Sequence, residues 1–171
     1  GTLPRLAVRV GHRVLDIESG SRVDGEPLPP TMKGLLREGR GAISRVQALA
    51  KAAQSTAGRF SGAMLEEKAI RFLPPIPDAG KLRSAGVNHR ARFAELNSHG
   101  LVGEMPAQIA GFEKDDLALL GHNARVAKPA AMARLDYEPE LVFVIGRRGL
   151  RLGDDLEAED YVAGVTLLLD L

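Results

Sequence analysis

The sequence predicts an α+β chain: a small N-terminal hairpin-plus-helix domain, residues 1–72, followed by a β-rich domain, residues 73–171. Three observations predict it. Two short β-favouring runs near the start face each other across Gly11-His12, the pattern of a hairpin. Apolar residues then recur at helical spacing through residues 42–54. A proline-dense segment, Leu73-Pro74-Pro75-Ile76-Pro77, separates these from a second part whose apolar runs are short and bounded by turn residues.

A chain of 171 residues is long enough to bury a sizeable core in one ordinary domain or two small ones. Hydrophobic content of 44% and charged content of 26% are ordinary globular values, unlike those of a disordered chain. The 23 basic and 22 acidic residues nearly cancel, so no net field draws the chain to nucleic acid or to an anionic membrane. Aromatic content is only 4% and no basic stripe carries interleaved aromatics, which leaves a stacking platform for single strands without support. No apolar run approaches the roughly 18 residues of a membrane span, and no signal-peptide succession opens the sequence. A cytoplasmic address is the expectation. Without cysteine, disulfides, thiol nucleophiles and cysteine-based metal sites are excluded.

Taken in order, residues 5–10 and 13–17 are the two strands of the hairpin, and residues 18–30 follow as a polar connection with Gly and Pro. Ile43, Val46, Leu49, Ala50 and Ala53 define the core-facing stripe of an amphipathic helix. The three prolines between Leu73 and Pro77 lack ladder donors and mark a domain boundary. Beyond it, residues 82–87 are expected as a strand and residues 90–97 as a short helix closed near Gly100. Residues 109–113 and 125–128 are expected as further strands, set apart by Asp115-Asp116 and Gly121-His122-Asn123. Asp154 and Asp155 are expected to cap a short helix running to Tyr161. Residues 163–171 form a last strand that meets the end of the sequence without a turn or a following partner, which reads as a piece of a longer protein.

The run from Leu135 to Arg148 carries the strongest chemical signal. Glu138 and Glu140 stand at the mouth of Leu141-Val142-Phe143-Val144-Ile145, a buried-strand composition. Alternation puts both carboxylates on one side, their Cα atoms roughly 6.5 Å apart, a spacing that one cation bridges. Charges entering an apolar sheet cost several kcal/mol each unless compensated, and a divalent metal compensates them. The same pattern also suits a plain strand end where two glutamates face water.

Five blocks, in a fixed order, identify a family. They are Leu73-Pro74-Pro75-Ile76-Pro77 with Gly80-Lys81; Gly86-Val87-Asn88; Phe112-Glu113-Lys114 with Ala118-Leu119-Leu120-Gly121; Leu135-Asp136-Tyr137-Glu138-Pro139-Glu140-Leu141 with Val144-Ile145-Gly146-Arg147; and Asp160-Tyr161-Val162-Ala163-Gly164 leading to Leu169-Asp170. From about Leu73 onward the chain resembles the fumarylacetoacetate hydrolase family, and the residues before it look like the small, more variable N-terminal domain of longer members. The resemblance implies a rolled, mixed-sheet catalytic domain of fumarylacetoacetate-hydrolase-like type, incomplete here because members extend past the Asp with more strands and a substrate-contacting Lys or Gln.

The resemblance also implies a metal set: Glu138, Glu140 and Asp170. Three carboxylates without a soft ligand suit Mg²⁺, Mn²⁺ or Ca²⁺ better than zinc. In the family the cation chelates neighbouring oxygens of a 2-oxo acid or 1,3-diketone and stabilises the enolate formed as a C–C bond breaks. Hydrolytic members place a water-activating His four residues after the Asn of the Gly-x-Asn block and a Glu three residues later. Glu95 matches, but the His position is Arg92, which cannot lose a proton in this range. His89, three residues earlier, is the candidate substitute base if the stretch is helical. Arg92 is alternatively a paired donor to a substrate carboxylate, which suits a decarboxylase, tautomerase, dehydratase or hydratase better than a hydrolase. Lys114 falls on the family's Phe-x-Lys block and is a candidate substrate contact, against a plain surface ion pair with Asp115 or Asp116.

Pro139 departs from expectation by removing a backbone donor between the two glutamates, with its ring directed away from the metal side. His12, His99 and His122 show no ligand spacing. The expected activity is therefore a metal-dependent hydrolase or lyase acting on a small 2-oxo acid or diketone, as a homodimer, which is usual in the family. A non-catalytic binding or oligomeric scaffold is the competing expectation, motivated by Arg92 and Pro139.

Overall fold

The computed structural model describes residues 3–56, 58–153 and 157–171. Strands β1 (Ala7–Val10) and β2 (Arg13–Asp16) pair antiparallel with Val10 opposite Arg13, so Gly11-His12 is a two-residue hairpin turn. A third strand, β3 (Met64–Glu66), joins the other edge of β2. The middle strand is consequently the most enclosed, with Val14 and Leu15 buried.

Residues 18–30, expected as a connection, instead begin with a helix, α1 (Ile17–Asp24). Ser19, Gly20 and Ser21 are weak helix formers, so the sequence pattern is misleading there. Tertiary contacts reverse that preference. Asp16 caps the helix by accepting from the Ser19 N–H at 2.7 Å, and the same Oδ1 accepts from the Arg5 guanidinium at 2.7 Å. Gly20 lies so close to Leu15 that a Cβ there would stand 3.0 Å from its Cδ1. The Ser21 hydroxyl accepts from the Leu28 N–H at 2.9 Å. Gly25, at φ 93°, closes the helix in the left-handed conformation glycine adopts without strain. Helix α2 (Met32–Glu38), capped by the Thr31 hydroxyl, is likewise not signalled by periodicity. The expected amphipathic helix is α3 (Arg40–Ser55), slightly longer than residues 42–54; Leu49 and Ala53 of its stripe are buried, and Ile43, Val46 and Ala50 half-buried.

Leu15, Ile17, Leu28, Leu35, Leu49 and Phe60 form the centre of the core. Each such burial is worth about 1.5–3 kcal/mol, so this segment carries most of the apolar stabilisation.

The chain divides into two compact units, Gly1–Phe72 with Asn123–Leu171, and Leu73–His122. In the second, β4 (Leu82–Gly86) pairs antiparallel with β5 (Ala110–Lys114), and Arg83 meets Glu113 directly across the ladder at 2.6 Å. Helix α4 (Arg90–Ser98) lies between them in sequence and ends before Gly100, at φ 70°. Residues 125–128 are not a strand: residues 124–129 carry no regular structure and are exposed. Val126 is the single β-branched residue of that stretch, Pro129 follows it, and no ladder partner lies beside it among the described residues.

In the first unit, β6 (Glu138–Ile145) pairs antiparallel with β7 (Val162–Asp170), reached through a 3-10 turn, Ala158–Tyr161. The Asp154–Asp155 cap lies outside the described residues. The ladder keeps register from Glu138 opposite Asp170 to Val144 opposite Gly164, then shifts once between Val144 and Ile145. No described helix is long and apolar enough to cross a membrane.

Candidate metal centre

Glu138 is the first residue of β6 and Asp170 the last of β7, and the register sets them directly opposite each other. Glu140 lies two residues along, opposite Leu168, and therefore on the same face. The three carboxylates offer oxygens that all lie within 4.8 Å of one another, with Glu138 exposed and the other two half-buried. Ligand oxygens around one Mg²⁺ stand about 3 to 4 Å apart, and around Ca²⁺ up to about 5 Å. The donor set and its span thus fit a hard divalent cation. Charges this close repel one another by about 1 to 3 kcal/mol per pair, a cost that a cation reverses. Among the described residues this is the one group of three such donors.

Along the same face, Val142, Thr166 and Leu168 are half-buried, so the carboxylates continue a partly enclosed side of the ribbon. Sequence reasoning misses Leu168, which carries no chemical signal of its own. The available signal is the hairpin pairing, because two strands of 8 and 9 residues brought side by side place Leu168 against Glu140.

The remaining site candidates lie on the other unit, Leu73–His122. Arg92 and Glu95 are brought together on α4, Nη1 to Oε2 at 2.9 Å. His89 is the N-cap residue and not part of the helix: its backbone is extended, its carbonyl accepts from the Phe93 N–H at 2.9 Å, and its side chain makes no capping bond. The shared helical face expected for His89 and Arg92 is therefore replaced by a position just before the first turn. Lys114 extends over its strand neighbour Phe112, with Nζ 5.4 Å from the ring centroid. Asp115 and Asp116 have backbone roles, capping the Leu117 N–H at 2.9 Å and the Gly80 N–H at 3.0 Å.

The architecture matches a known fold. A solved structure of a protein assigned as HpcE from Mycobacterium smegmatis superposes with a TM-score of 0.65 at 22% identity, over 98% of this chain and 52% of that one. Residues 81–171 match the family model for the fumarylacetoacetate (FAA) hydrolase C-terminal domain. The chain belongs to the fumarylacetoacetate hydrolase family. Oxaloacetate tautomerase YisK of Bacillus subtilis is 26% identical over 164 residues, 94% of this chain and 53% of that protein. The mitochondrial oxaloacetate tautomerase fahd2 of Xenopus laevis is 24% identical over 98% of this chain and 48% of its own length. This chain spans about half the length of these relatives.

Proposed function

We propose that the chain carries the cation site of a divalent-metal-dependent enzyme acting on a 2-oxo acid or acylpyruvate-like substrate. The convergence of Glu138, Glu140 and Asp170 at the end of one ribbon carries this reading. A cation held there would supply Lewis acidity to vicinal substrate oxygens. Separately, the Leu73–His122 unit offers two groups suited to the same substrate class. Arg92 is permanently charged and presents a planar fork to a substrate carboxylate. Glu95, its ion-pair partner, is a carboxylate suited to take a proton from a carbon next to a carbonyl and return it to oxygen.

That assignment favours keto–enol transfer over C–C hydrolysis, since Arg92 cannot activate water. Two relatives named as oxaloacetate tautomerases support the same direction. Lys114 and His89 are proposed as further substrate-facing groups of that unit, and residues 1–72 as an accessory domain. A homodimer in the cytoplasm is the proposed setting; for the dimer, the exposed side chains of Leu141, Phe143, Leu167 and Leu169 on the ribbon face away from the carboxylates offer a surface to cover.

The test is the full-length protein with oxaloacetate and acylpyruvates, with Mg²⁺ or Mn²⁺ added or chelated. Metal-dependent enol–keto conversion is the expected result. Undiminished turnover after chelation would end the metal reading, and no turnover of any of these compounds, with metal still bound, would favour the scaffold.

A further inference from the structure

We infer that Pro139 is a positioning residue that holds Glu138 and Glu140 in ligand geometry before any cation arrives; this rests on the metal reading above. The ligands occupy the worst place in a ribbon for fixed geometry. Glu138 opens β6, Asp170 closes β7, and residues 133–137 before them carry no regular structure. Strand ends fray, and a two-stranded ribbon has little stability of its own. Mutual repulsion among three carboxylates within 4.8 Å adds to the tendency to open.

Pro139 counters this at the residue between the two glutamates. Its ring locks its own φ near −65°, and its Cδ excludes the helical region for the residue before it, Glu138. Both restraints act on the backbone that sets where the carboxylates project. The strand accommodates the proline: the ladder runs through Pro139 opposite Leu169 with no register shift. Pro139 also alternates onto the exposed face, away from the ligand face, so it acts on the ligands through the chain and not by contact with the ion.

The measurement is Mn²⁺ affinity of the full chain by calorimetry, for wild type, Pro139→Val, Pro139→Ala and Pro139→Gly, with Ile145→Gly as a control that loosens the same strand at its far end. Affinity is expected to fall in that order, about threefold for Ala and about tenfold for Gly, while Ile145→Gly stays within about twofold of wild type. Equal affinity across the Pro139 series overturns the proposal, as does a loss in Ile145→Gly matching that of Pro139→Gly. If circular dichroism shows Pro139→Gly unfolded, the order of Pro, Val and Ala decides alone. Failure of wild type to bind Mn²⁺ overturns the metal reading itself, a result distinct from a flat series.

Discussion

Glu138 sits at the most exposed corner of the carboxylate group and is the residue on which the metal reading can be broken most cleanly. Glu138→Gln keeps the size and removes the charge, so Mn²⁺ binding and turnover should be lost together; calorimetry and the oxaloacetate assay check both. Turnover without measurable metal binding would contradict the site. Arg92→Lys keeps the charge but loses the fork, so KM for a dicarboxylic 2-oxo acid should rise about tenfold or more with metal affinity unchanged. Away from chemistry, Gly146 approaches Ala163 so closely that a Cβ would lie 2.6 Å from its Cβ. Gly146→Ala should therefore cost about 1–3 kcal/mol, read as a lower midpoint in denaturant. These residues differ in how legible they are. The two glutamates announce themselves by alternation in a Val/Ile-rich strand, whereas the tight packing of Gly146 has no local mark, since it comes from a strand end 17 positions away in sequence.

The elements are readable where hydrophobic period and turn chemistry agree. The Gly11-His12 hairpin, α3, β4, α4, β5 and β6 all stand within a few residues of their expected bounds. Helix α1 is not readable, because Ser19, Gly20 and Ser21 argue against a helix and only the Asp16 cap, the Arg5 ion pair and the close packing on Leu15 outweigh them. Asp16 is buried while serving both partners. Asp16→Ala should accordingly cost about 1–3 kcal/mol and loosen α1 first, visible as faster amide exchange at Ser19. The strand expected over residues 125–128 fails for the opposite reason. It has one β-branched residue but no neighbouring strand among the described residues, and a strand's hydrogen bonds are made with another strand.

Across the molecule, apolar burial is concentrated in residues 14–63, while Leu141, Phe143, Leu167 and Leu169 remain exposed on one side of the β6–β7 ribbon. A contiguous apolar patch of this kind marks a surface suited to being covered by a partner. If a second copy covers it, Leu167→Lys should shift the full-length protein toward monomer in analytical ultracentrifugation, leaving the core and its far-ultraviolet signal intact. An unchanged sedimentation coefficient would remove that face from the dimer proposal.

By itself the sequence determined the α+β class, the family blocks and which carboxylates were candidates, because alternation, turn chemistry and block order are local properties of the chain. Only the tertiary structure decided that Asp170 stands opposite Glu138, that Arg92 pairs with Glu95 and that His89 precedes its helix. The physical reason is that a strand's periodicity fixes which face a side chain takes but not which strand lies beside it; register is set by the whole ladder, and the ladder brings together residues 32 positions apart.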